Sequence, residues 1–172
     1  ELLQVTDNKH PDYNPIQSSL KQIESVIETM DVRTKDFSSR EQVREVEKRL
    51  GNSLSLVAPA RHYIREGHLF KVCRKKERKY LFILFSDLLL YCTQSSTGKL
   101  VLNNMLPLDR YFRIEDIQTN RKYGSLCFEI HSTVKSFVVY TDNLADKKAW
   151  LQDVRSCVEQ IHTQSQNLYF TI

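Results

Sequence analysis

Apolar residues change their period once along this chain of 172 residues, and that change limits what it can fold into. Over residues 14–51 the spacing is helical: Ile16, Leu20, Ile23, Ile27 and Met30 fall four, three, four and three apart. Asn14 can cap, Pro15 suits the first helical position, and Gln17 completes a capping box. A second start signal, Ser39-x-x-Gln42, precedes Val43, Val46 and Leu50, and Gly51 is placed to end a helix. A stripe this narrow cannot build a core by itself. It therefore reads as the end of a larger helical domain rather than as a helix packed on its own domain.

From Ile64 onward the pattern is that of strands. Runs rich in Leu, Ile, Val, Phe and Tyr, joined by short polar connections, are expected at 64–74, 78–86, 88–93, 104–108, 110–117, 125–132 and 135–141. Ser86-Asp87 is a tight turn and 94–99 a loop. Phe82 and Leu84 share one face of their strand while Leu81, Ile83 and Phe85 share the other, so this strand is covered on both sides. A last helix starts near Asn143 or Leu144. Its stripe is Ala149, Trp150, Val154, Cys157, Val158 and Ile161, with Asp146, Lys147, Lys148 and Arg155 in solvent and Trp150 as a core plug. The expected fold is mainly β with helices: a seven-stranded barrel closed by a C-terminal helix, plus an N-terminal helical appendage. Residues 56–71 read as the hinge between the two parts.

Composition excludes several functions. No run approaches the roughly 20 apolar residues of a membrane span, and residues 4–12 are too polar for a secretory signal. Glu1 is not an initiator methionine, so the chain reads as a piece of a longer one. Cys73, Cys92, Cys127 and Cys157 are far apart, three in expected strands and one in a helix, and are read as buried free thiols of a cytoplasmic protein. Neither they nor the five histidines show ligand spacing, so no metal and no cofactor is expected. Nucleophile elbow, zinc-protease, P-loop and dinucleotide motifs are all missing from the sequence, which argues against an enzyme.

Charge is concentrated. The net charge is +4, yet residues 61–79 alone hold eight basic side chains against Glu66 and Glu77. Five of the six residues from Arg74 to Lys79 are basic, at an expected strand-to-strand turn. A nucleic-acid partner is not expected, since no RNP-like aromatic motif accompanies them.

Three pieces carry a resemblance. Glu66-Gly67-His68-Leu69-Phe70-Lys71, the hairpin Tyr80-Leu-Phe-Ile-Leu-Phe-Ser-Asp-Leu-Leu-Leu-Tyr91 and Ala149-Trp150-Leu151 resemble, in order and spacing, a pleckstrin-homology (PH) domain over about residues 64–162. Upstream, Leu56-Val57-x-Pro59-x-Arg61-x-x-Ile64-x-Glu66-Gly67 is similar to the junction in Dbl-family Rho guanine-nucleotide exchange factors, where a Dbl-homology (DH) domain meets its PH domain. The hairpin wording is close to members that also carry a FYVE finger, the faciogenital-dysplasia group. The resemblance implies residues 1–60 as the end of a DH domain and linker, 61–163 as the PH domain, and 164–172 as a tail of strand propensity without assigned function. It also implies that this chain does not catalyse exchange by itself, because the earlier DH helices that grip the GTPase are not in it.

The implied function is regulation and membrane targeting of such a factor. The implied partners are anionic phospholipids or phosphoinositides, the DH domain and, through the parent protein, a Rho-family GTPase, with peripheral recruitment from the cytoplasm. Candidate lipid-binding residues are Lys71, Arg74, Lys75, Lys76, Arg78 and Lys79. Two positions depart from the family's headgroup pattern: Tyr80 stands where the final arginine usually lies, and Leu90 where a tyrosine often does, with Tyr91 facing the other way. That departure argues for weak, salt-sensitive attraction over a stereospecific pocket. The competing reading is a protein-interaction or autoinhibitory surface on the 80–91 hairpin or the 94–104 loop.

Overall fold

The computed structural model describes residues 9–74 and 76–169, with side chains described to residue 163. Helix α1 spans Tyr13–Arg49. Seven strands follow: β1 Tyr63–Lys71, β2 Arg78–Phe85, β3 Leu88–Gln94, β4 Leu100–Pro107, β5 Arg113–Asp116, β6 Cys127–His131 and β7 Phe137–Tyr140. Helix α2, Leu144–Tyr169, ends the order. The strands form one antiparallel sheet in the order β4-β3-β2-β1-β7-β6-β5, so β4 and β5 are its edges. Two compact units divide the chain, Glu1–Ser39 and Arg40–Ile172. In the first, the stripe residues Leu20, Ile23, Ile27 and Met30 are all exposed.

Within the second unit the sheet has two apolar faces. The inner face gathers Leu69, Phe82, Leu84, Tyr91, Phe128, Ile130 and Val139 around Trp150, Leu151, Val154 and Cys157 of α2. Trp150 is the expected core plug, seated edge-on to Phe82. It passes so close to β1 that a Cβ on Gly67 would lie 3.4 Å from its ring. The outer face, Leu81, Ile83, Phe85, Leu88 and Leu90, packs against Val43, Val46 and Leu50 of the end of α1 and against Leu56. This is why β2 is apolar on both sides. Each fully buried aliphatic or aromatic side chain contributes about 1.5–3 kcal/mol.

Several expectations need correction. Ser39-x-x-Gln42 starts no second helix: α1 runs through it, because nothing between residues 30 and 49 breaks helical geometry. Gly51 does end α1, in a Schellman turn at φ 70° in which Gly51 N donates to Lys48 O and Asn52 N to Glu47 O. Strand β4 is longer than expected, while β5, β6 and β7 are trimmed by side-chain-stabilised turns. Asp109 Oδ1 accepts from Tyr111 N, Asn120 Oδ1 from Lys122 N, and Ser132 Oγ from Lys135 N. Cys73 lies past the end of β1 and is exposed, unlike the three buried free thiols. Helix α2 continues to Tyr169, so the expected strand propensity is not realised there, and Phe170 to Ile172 lie outside the described residues.

Residues 56–62 are pinned and do not form a loose hinge. Arg61 forks onto Asp87 with two 2.7 Å bonds and donates a third to Leu56 O. The Asp87 hydrogen bond raises the Arg61 pKa further. Ser86 Oγ donates to Ala60 O and accepts from His62 N, and Glu47 Oε1 accepts from Leu56 N. The connection is thereby fastened to the β2–β3 turn at several points.

Lys147 overturns its expected solvent position most sharply. It is 3 % exposed, ion-paired to Asp116 Oδ1, and donates to Ile117 O at 3.0 Å and Ser125 O at 2.5 Å. Asn143 caps α2 by accepting from Asp146 N, which sets the first turn of the helix over the β5–β6 connection. The lysine then reaches two backbone carbonyls at the ends of the β5–β6 connection.

Candidate functional site: the basic β1–β2 turn

The connection between β1 and β2 carries the basic cluster, and the fold splits the cluster by depth. Along β1, Leu69 and Lys71 share the inward face. Lys71, 6 % exposed, lies inside the barrel. Its Nζ donates to Tyr91 Oη at 3.0 Å and lies 4.5 Å from the Tyr91 ring centre and 4.2 Å from that of Phe137. Two π faces and one hydroxyl replace part of its hydration, and among the described residues it has no carboxylate partner. Lys71 therefore faces inward and is absent from the exposed tip.

Arg74, Lys76, Arg78 and Lys79 are exposed, and Lys75 lies outside the described residues. Arg78 pairs in register with Lys71, and Lys79 with Phe70, whose ring lies 5.4 Å below the Lys79 ammonium. The other two arginines of the basic stretch serve elsewhere. Arg61 holds Asp87. Arg65 lies over the Trp150 ring at 5.0 Å with Nη1 3.3 Å from Asp153 Oδ2, a charge contact without hydrogen-bond alignment.

The one acid in the turn fixes its course. Glu77 accepts from Tyr123 Oη at 2.6 Å, from Tyr140 Oη at 3.5 Å and from Lys122 Nζ. The Lys122 and Tyr123 hydrogen bonds lower the Glu77 pKa, and the same contacts raise those of Lys122 and Tyr123. Beneath it Phe70, Tyr140 and Tyr123 stack in a row, with ring centres 4.8 Å and 4.4 Å apart. Glu77 thus couples the turn to the outer side of β7 and to the β5–β6 connection, and among the described residues its charge is met by Lys122.

Tyr80 and Leu90 bear on the expected departure from a headgroup pocket. Tyr80 packs edge-on to Tyr91 at 5.4 Å, against the core. Leu90 is fully buried in the cluster under the end of α1, while Tyr91 points into the barrel and holds Lys71. Sequence reasoning missed Tyr91 and Phe137 as partners of Lys71, and Glu77, Lys122, Tyr123 and Tyr140 as the staple of the turn. The parity of Leu69 and Lys71 along β1 was a readable signal for the first set. No sequence signal marks the second, because residues 77, 122–123 and 140 meet only in space.

Comparison with known proteins agrees with this geometry. The family model described as PH domain matches residues 63–159. The mouse protein "FERM, ARHGEF and pleckstrin domain-containing protein 2" is 31% identical over 156 residues, covering 90% of this chain and 14% of that protein. The mouse "FYVE, RhoGEF and PH domain-containing protein 6" is 27% identical over 149 residues, covering 87% and 10%. The chain thus spans about a seventh or less of these relatives' lengths. Among solved structures, the complex of PDZ-RhoGEF DH/PH domains with GTP-gamma-S activated RhoA aligns at TM-score 0.67 and 17% identity, over 91% of this chain and 50% of that one. At that identity the likeness speaks for the fold: a helix entering a PH barrel. With the seven-stranded sheet, the capping α2 and a family match over more than half its length, this chain belongs to the PH domain family.

Proposed function

We propose that this chain is the PH module of a Rho guanine-nucleotide exchange factor, with residues 1–60 as the end of its DH domain and linker, 61–163 as the PH domain and 164–172 as a tail. Its role is regulation and targeting: the β1–β2 turn attaches the parent protein weakly to anionic phospholipid at the cytoplasmic membrane surface. The observation that carries this reading is the outward set Arg74, Lys76, Arg78 and Lys79, with the nearby acid Glu77 already engaged by Lys122. Each cation near an anionic leaflet is worth about 1 kcal/mol, so the set supplies several kcal/mol before salt screens it. Arginine forks and lysine ammoniums can share one phosphate.

Low specificity follows from the same residues. Lys71 is occupied by Tyr91 and Phe137, and Tyr80 is packed against the core, so neither is free to shape a headgroup pocket. Nucleotide exchange on a Rho-family GTPase belongs to the parent protein and its whole DH domain. The relatives bearing RhoGEF and ARHGEF names, and the solved DH/PH complex with RhoA, support that assignment.

Liposome co-sedimentation tests the reading. The native chain should sediment with phosphatidylserine and phosphoinositide vesicles at low salt and release as salt rises. A variant carrying Arg74→Glu, Lys75→Glu, Lys76→Glu and Arg78→Glu should stay in the supernatant. Absence of native binding at low salt would overturn the lipid role. Binding that ignores lipid charge and survives high salt would favour a protein-docking surface instead.

A further inference from the structure

The β5–β6 hairpin carries a second, separate cluster. Glu115 and Glu129 face each other directly across the two strands, and His131 pairs with Arg113 two residues along, on the same outward face. Two carboxylates on one rung repel each other. Arg113 Nε lies 3.2 Å from Glu115 Oε1 and relieves one of them. Glu129 has only His131 as an ionic neighbour among the described residues.

His131 is placed in an unusual way. Its Nε2 is buried without a hydrogen-bond partner, although it lies 3.6 Å from Glu115 Oε1 and 3.6 Å from Glu129 Oε2. Those distances exceed hydrogen-bond range. They match the separation of two ligands around one tetrahedral zinc, about 3.4 Å for bonds of about 2.1 Å. One ligand atom from each of the three residues lies within 4.8 Å of the others, close enough for the three to share one ion.

We propose that Glu115, Glu129 and His131 form a binding site for a divalent cation of the zinc class, with water completing the shell. The donor set selects the ion: one imidazole with two carboxylates suits zinc or its borderline neighbours, whereas calcium and magnesium take oxygen donors alone. A bound cation satisfies the buried Nε2, cancels the repulsion on the Glu115–Glu129 rung and crosslinks β5 to β6. Strand β5 has four residues and stands at the sheet edge with β6 as its one strand partner, so it is the element that gains most.

The test is zinc titration of the full chain in a non-chelating buffer, read by calorimetry and, with cobalt as probe, by the visible absorption of a low-symmetry site. A Cys73→Ser background removes the exposed thiol, a competing soft ligand. One equivalent of zinc should bind and raise the melting temperature. Glu129→Gln and His131→Asn should each weaken binding by about tenfold or more, as loss of a direct ligand must exceed the effect of a supporting one. Glu129→Gln keeps side-chain size on an outward face, so its fold, checked by circular dichroism, is expected to be native. No binding to the Cys73→Ser protein, or binding unchanged in both folded variants, overturns the site.

Discussion

Lys71 and Lys147 lie inside this protein, while Arg74, Lys76, Arg78 and Lys79 project from it, and the two sets use the same kind of charge for different ends. The interior pair is satisfied in two ways. Lys147 has a carboxylate and two backbone carbonyls; Lys71 has two aromatic faces and a phenol. Each fixes a junction, Lys147 between α2 and the β5–β6 connection and Lys71 between β1, β3 and β7. Among the described tip cations, Lys79 rests on the Phe70 ring at 5.4 Å, and none of the four has a carboxylate partner. Most of their electrostatic energy becomes available when an anionic surface approaches. A count of basic residues over 61–79 hides this division.

Substitutions can break the comparison at its strongest point first. Lys147→Met leaves Asp116 and two carbonyls without their cation and should cost about 3 kcal/mol in denaturant unfolding, near the lower end for a broken buried pair because Asp116 remains partly exposed. Lys71→Met keeps the volume but removes the ammonium from its aromatic box, at an expected cost of about 1–2 kcal/mol by the same measurement. An unchanged midpoint would show that Lys71 is tolerated there without stabilising the junction.

Glu77 gives a smaller, local effect. Its pKa lies below the ordinary value, so the folded state holds that proton less tightly than the unfolded one. Its contribution is therefore fully present above the ordinary glutamate range and is lost as pH falls through the lowered folded value. Amide protection around Glu77, taken relative to the intrinsic exchange rate at each pH, should fall below about pH 4. Glu77→Gln should produce the same loosening at neutral pH. Equal exchange in the native and variant proteins at neutral pH would remove Glu77 as the staple.

Reversing the tip charges should have the least effect on folding, within about 0.5 kcal/mol, while abolishing liposome binding. A large loss of stability in that variant would collapse the distinction between interior and tip cations.

Much of the fold was legible from pattern. The unbroken apolar run 81–85 announced a strand covered on both faces, and the Gly51 helix end, the helix start near Asn143 or Leu144 and the Trp150 plug stand where they were expected. The edges of β5, β6 and β7 were less legible, because Asp109, Asn120 and Ser132 draw the backbone into turns that apolar runs do not reveal. Of the candidate site, the cluster was visible as a run of charge, but the departure of Lys71 from it was readable only through its parity with Leu69.

The sequence by itself determined the periodicities, the glycine that ends α1 and the concentration of positive charge, because each depends on neighbours a few residues apart. The helix starts it suggested at Asn14 and Ser39 both fall inside α1, which begins at Tyr13. Tertiary structure alone decided which cations are buried, how Glu77 meets Lys122 and Tyr123 some 45 residues away, and that Glu115, Glu129 and His131 converge. The physical reason is desolvation. Whether a charge becomes an interior strut or a surface contact depends on the groups that replace its water, and those groups come from distant parts of the chain.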